Sequence, residues 1–75
     1  MYHAHVTIKG DFLPNHISYM QFAVNAISQW EASQKIAAYI CNDDYYGKAT
    51  IDSINTTEVN KYMLVSNSNL FILLP

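Results

Sequence analysis

Residues 22–37 read Phe22-Ala-Val-Asn-Ala-Ile-Ser-Gln-Trp-Glu-Ala-Ser-Gln-Lys-Ile-Ala37, and the spacing of the apolar side chains changes inside them. Up to Ala26 the period is two. Met20, Phe22, Val24 and Ala26 share one face, with Tyr19, Gln21, Ala23 and Asn25 opposite, as in a half-buried strand running from Ile17 to Ala26. At Ser28-Gln29-Trp30-Glu31 the pattern becomes a capping box, in which the Ser28 hydroxyl accepts from the Glu31 amide while Glu31 reaches back. Counted at 100° per residue, Ala32, Ile36, Ile40, Ser33, Ala37 and Trp30 then form one broad face. Gln34, Ala38, Glu31, Asn42 and Lys35 form the other. This predicts an amphipathic helix of about three or four turns ending near Cys41-Asn42. Its small residues, Ser33 and Ala37, let it sit close to a sheet.

Working outward, Met1 to Lys9 alternates without a break. Tyr2, Ala4, Val6 and Ile8 face one way and His3, His5, Thr7 and Lys9 the other, a second half-buried strand. Gly10-Asp11 and Leu13-Pro14-Asn15 carry turn chemistry, so the two strands form a hairpin. After the helix, Asn42-Asp43-Asp44-Tyr45-Tyr46-Gly47 reads as a loop. Lys48 to Thr56 is a β-branched strand whose phase slips between Ile51 and Ile54, predicting a bulge near Asp52-Ser53. Thr57 to Asn60 turns, Tyr62 to Val65 makes a short strand, Ser66 to Asn69 turns again, and Leu70 to Leu74 is a continuous apolar strand closed by Pro75. Such a strand is buried on both faces or keeps one face for a partner. The order is ββαβββ: an α+β two-layer sandwich over residues 1–75, one helix on an antiparallel sheet, with a polar and aromatic face of His3, His5, Thr7, Tyr19, Gln21 and Asn25 left over.

Composition restricts function. The chain is 51% hydrophobic and 13% charged, too apolar for a disordered tail, and at 75 residues it builds a thin core. No apolar run is long enough to span a membrane, and the first fifteen residues show no signal-peptide pattern, which predicts a cytoplasmic protein. Four lysines stand singly and there is no arginine, against direct nucleic-acid binding. A net charge of −2 is too small for a mimic of DNA. Six tyrosines, by contrast, suit a protein interface.

The chemistry-bearing residues do not assemble into a reaction centre. Met1-Tyr2-His3 fits an amino-terminal copper or nickel chelate, but this spacing arises by chance wherever histidine is third. His3, His5, His16 and Cys41 lack the two closely spaced ligand pairs of a structural zinc site and read as surface histidines and a small packing residue. Cys41, at a helix C-terminus, sits where the dipole disfavours a thiolate. Two glycines exclude a phosphate cradle. No catalytic residue, cofactor or metal is expected, and the chain reads as non-enzymatic. The strongest interaction candidate is Asp43-Asp44-Tyr45-Tyr46, two acids beside two aromatics, and Tyr19, on the open sheet face, is a further contact residue.

The junction quoted first, a strand ending Phe22-x-Val24-x-Ala26 followed by Ser28-x-x-Glu31-Ala32 and then further strands, resembles tiny phage-encoded inhibitors, among them anti-CRISPR proteins of the type I systems. The resemblance covers the layout of nearly the whole chain, and the strand–cap–helix junction is its quotable motif. It implies binding to a host CRISPR effector subunit through an acidic and aromatic surface, which here would be Asp43, Asp44, Tyr45 and Tyr46. The alternative from another class is an assembly module that forms a homodimer through Leu70–Leu74.

Overall fold

The computed structural model describes residues 1–60 and 71–75. The alternating segments become β1 (Tyr2–Lys9) and β2 (Ile17–Val24), paired antiparallel from Tyr2 opposite Val24 to Lys9 opposite Ile17. The turn between them closes through Gly10 N–H to the His16 carbonyl (3.1 Å) and His16 N–H to the Leu13 carbonyl (2.9 Å). Asn15 and His16 both take positive φ, 55° and 63°. Asn tolerates this left-handed region through its short polar side chain, whereas His16 is held there by the bonds on either side of it.

Helix α1 (Gln29–Asn42) starts where the capping signal places it. Ser28 is the N-cap, and its Oγ accepts from the Glu31 amide at 3.1 Å. The reciprocal half of the box does not form. Glu31 turns one helical step forward to Lys35, 3.3 Å away, because that i,i+4 cation satisfies its charge better than a neutral amide.

The next strand, β3 (Thr50–Glu58), begins and ends two residues later than the β-branched pattern suggests; a short 3-10 turn, Tyr46–Lys48, precedes it, and Thr57-Glu58 extends the ladder instead of turning. The bulge is where the phase slip puts it. Thr7 pairs with Ser53 but Ile8 pairs with Ile51, leaving Asp52 as the extra residue, and its carboxylate meets Lys9 at 3.3 Å.

The expected all-antiparallel sheet is corrected by the last strand, β4 (Ile72–Leu74). The spatial order is β3-β1-β2-β4, and β4 runs parallel to β2, Phe22 beside Ile72 and Val24 beside Leu74. Side-chain periodicity fixes which face a residue occupies but not the direction of its strand. A parallel return needs about a dozen connecting residues, and thirteen lie between Glu58 and Ile72 (72 − 58 − 1). The strand expected at Tyr62–Val65, the turn at Ser66–Asn69 and Leu70 lie outside the described residues. Of the apolar run, Ile72 and Leu74 pack on the core while Leu73 is 61% exposed, so burial on both faces does not hold for it.

The core lies between the sheet and α1. Tyr2, Ala4, Val6 and Ile8 of β1, Met20, Phe22 and Val24 of β2, and Ala32, Ile36 and Ile40 of α1 are all buried, with Leu13 closing one end. Two helix positions depart from expectation. Trp30 is 73% exposed, because it stands about 120° around the helix from Ile36 and on its first turn, beyond the part of the arc that meets the sheet. Tyr39, about 60° from Ile36, lies at the margin of the covered arc, 38% exposed, and sets its ring edge-on to Phe22 at 5.6 Å. Cys41, expected as a packing residue, is exposed for the same angular reason. No described helix is long and apolar enough to cross a membrane.

Candidate functional site

The loop after α1 is built by Asp43. Its Oδ2 accepts from the backbone amides of both Tyr45 (3.0 Å) and Tyr46 (2.7 Å), while Gly47 N–H closes onto the Asp43 carbonyl at 2.9 Å. Glycine is required at 47: a Cβ there would lie 2.8 Å from the Cys41 carbonyl oxygen, inside the helix end. So constrained, the two tyrosines diverge. Tyr46 packs against the core, and Tyr45 stays 49% exposed.

Tyr45 is also stacked from two sides. Its ring meets Tyr46 edge-on at 4.9 Å and Phe12, from the β1–β2 turn, edge-on at 5.0 Å. Phe12 is the contributor that sequence reasoning missed. It falls outside both strand alternations, in a turn thirty-three residues from Tyr45, and only the closure of the hairpin against the helix end brings the two together. Each such ring pair contributes about 0.5–1.5 kcal/mol beyond its area, so the stack holds Tyr45 in place.

The five sequence-predicted contact residues are therefore not one surface. Asp43, Asp44, Tyr45 and Tyr46 share the loop, Asp43 and Tyr46 as its internal supports, Asp44 and Tyr45 as its exposed members. Tyr19, 74% exposed, belongs to the sheet face turned away from the helix, in the row Ser53–Thr7–Tyr19. That face also carries His3 and His5, whose rings stand 4.5 Å apart, and Gln21, whose Oε1 lies 3.2 Å from His3 Nε2. Beside the aromatic stack opens a shallow cleft of about 480 Å³ lined by Lys9, Gly10, Asp11, His16, Lys48 and Thr50. Asp11 and His16 approach to 3.6 Å across it at the surface, a contact of small energetic weight.

An amino-terminal copper chelate at Met1-Tyr2-His3, the pattern weighed above as a chance spacing, would need the Tyr2 and His3 amides deprotonated. Both residues are in the central strand, laddered to β2 and β3, and the Met1 carbonyl accepts from Val59 N–H at 3.0 Å. Forming the chelate would open that end of the sheet. Tyr2 also has a phenol held above its ordinary value of 10.0, first by burial and then by the charge of Glu58 and a hydrogen bond to it. Among the described residues, no group of three or more His, Cys, Asp or Glu gathers to hold a metal. No protein-family model, curated protein or solved structure matches the chain.

Proposed function

We propose that the chain is a non-enzymatic protein inhibitor of the anti-CRISPR kind, which binds a subunit of a CRISPR effector complex in the host cytoplasm and blocks its action by occlusion. The observation that carries this reading is the Phe12–Tyr45–Tyr46 stack beside the exposed Asp44. An aromatic ring fixed in advance loses little entropy on binding, and an adjacent carboxylate steers it towards a basic, nucleic-acid-binding groove.

The test adds the purified chain to a purified type I effector complex and measures target-DNA binding. Stoichiometric inhibition is expected. Tyr45→Ala should weaken it by about thirtyfold, the cost of a 2 kcal/mol hot spot, and Asp44→Lys should slow association. These two are the informative variants because Asp43 and Tyr46 also support the loop. A wild-type chain that leaves the complex active sinks the reading; inhibition by both variants at wild-type strength moves the contact off this loop.

One observation favours a second reading, self-association through the C-terminal strand: among the described residues β4 lies at the edge of the sheet, and Leu73 on it is 61% exposed. Sedimentation of wild type and Leu73→Glu decides it. A dimer that the substitution dissociates supports an assembly module, and a monomer at micromolar concentration removes it.

A further inference from the structure

We propose that His3 and His5 form a two-imidazole chelate for a late divalent transition-metal ion such as zinc(II). Alternate positions on β1 put both side chains on the sheet face away from the helix, with His5 exposed and His3 half-buried. Their ring centres are 4.5 Å apart with planes at 62°. An imidazole nitrogen sits about 2.0–2.1 Å from such a metal, and the ring centre roughly 1.15 Å further, so two rings at a right angle about one ion have centres about 4.5 Å apart, and at a tetrahedral angle about 5.2 Å. The pair already stands at the separation of two imidazoles at a right angle about one ion, and a tetrahedral ion would need the rings to part by about 0.7 Å more.

Two neighbours prepare the site. Gln21 Oε1, 3.2 Å from His3 Nε2, is an acceptor and so favours the tautomer with the hydrogen on Nε2, which leaves the Nδ1 lone pair to ligate. A hydrogen-bonded outer partner of this kind fixes the tautomer and raises the basicity of a ligating histidine. On another side, Phe71 sets its ring edge-on to His3 at 4.6 Å and limits its rotation. With two protein ligands, water fills the remaining positions, and the ion is one that favours imidazole nitrogen over hard oxygen ligands. A chelate of this kind uses side chains alone and leaves the β1 ladders intact, unlike the amino-terminal one.

The experiment follows the thermal midpoint of the full chain with zinc chloride, and with magnesium chloride as the hard-cation control. At ten times the dissociation constant, bound metal multiplies the folded population about elevenfold, which raises the midpoint of a chain this size by roughly 6–11 °C. His3→Ala and His5→Ala should each abolish the rise, while His16→Ala keeps it. In the wild-type chain, the imidazole nitrogen resonances of both His3 and His5 should move together with zinc, a readout that does not depend on any variant folding. No rise up to about 1 mM zinc overturns the proposal. So does an equal rise with magnesium, or a rise that survives His5→Ala.

Discussion

The two adjacent aspartates after the helix look interchangeable in sequence and are opposite in structure, which gives a sharp test. Asp43 Oδ2 alone accepts both loop amides, Tyr45 N–H at 3.0 Å and Tyr46 N–H at 2.7 Å. Asp43→Ala removes two hydrogen bonds to a charged acceptor, one exposed and one half-buried, in a capping-like turn. Such losses run to about 1.5–3 kcal/mol. Against this, Asp43 is also the C-cap of α1, where a negative charge opposes the helix dipole by about 0.3–1 kcal/mol, and that repulsion disappears with the carboxylate. The net expectation for Asp43→Ala is a loss of about 1–2 kcal/mol from a total near 4–11, or a fall in midpoint of roughly 4–16 °C. Asp43→Asn separates the two terms. Its single carbonyl oxygen can take the place of Oδ2 and accept both amides, and the unfavourable charge is gone, so stability should stay within about 0.5 kcal/mol of wild type. Asp44→Ala, at an exposed position, should also stay within about 0.5 kcal/mol. Urea denaturation followed by circular dichroism measures all three. If Asp43→Asn is as damaging as Asp43→Ala, the geometry assigned to Oδ2 is wrong; if Asp44→Ala matches Asp43→Ala, the division of labour fails.

Two further outcomes follow from the periphery of the fold. Lys35 Nζ donates to the Asn25 carbonyl (2.6 Å) and the Pro75 carbonyl (3.0 Å), pinning the C-terminal strand to the helix. Lys35→Met keeps the stem and removes the donor, so the Asn25 N–H bond to Leu74 should exchange with solvent faster while the β1–β2 amides keep their protection; uniform acceleration would show that no local latch exists. The Tyr2 phenol, raised above 10.0 by burial and then by Glu58, stays neutral longer in the folded than in the unfolded chain. Its contribution to stability is thus complete below the unfolded value and is lost as pH rises through the folded one, so the chain should weaken above about pH 10. Ultraviolet titration of Glu58→Gln should show Tyr2 ionising at lower pH than in wild type, and an unchanged titration would remove Glu58 as a cause.

The sheet faces were legible because alternation is a local property. Tyr2, Ala4, Val6 and Ile8, then Met20, Phe22 and Val24, are the buried rows, and Ser28 starts the helix because its hydroxyl meets an amide three residues on. The Asp52 bulge was legible for the same reason: one extra residue shifts the phase of every side chain after it. Strand direction was not, since β4 obeys the same alternation whether it runs with β2 or against it. Trp30 and Tyr39 show where the helical arc has its limit. Angle alone placed Trp30 inside a broad face, but the buried helix positions, Ala32 and Ile40, lie within about 40° of Ile36, and Tyr39, about 60° away, is already 38% exposed.

The site was half legible, and the division has a physical cause. Composition and position marked Asp43-Asp44-Tyr45-Tyr46 as a surface loop, but the residue that completes it, Phe12, comes from a turn that carries no period of its own. What sets the loop's order is a competition between neighbours for the same role. The first aspartate past the helix can reach amides two and three residues ahead, and once it does, Tyr46 is carried towards the core and Tyr45 outward against Phe12. Asp44, with those amides already taken, is left to solvent. The same bonds that cost Asp43 its freedom leave the adjacent carboxylate and ring exposed on a fixed backbone, and under the function proposed above it is this fixing, more than charge, that would let so small a surface bind: each side chain held before encounter spares about 0.5–1.5 kcal/mol of ordering on association.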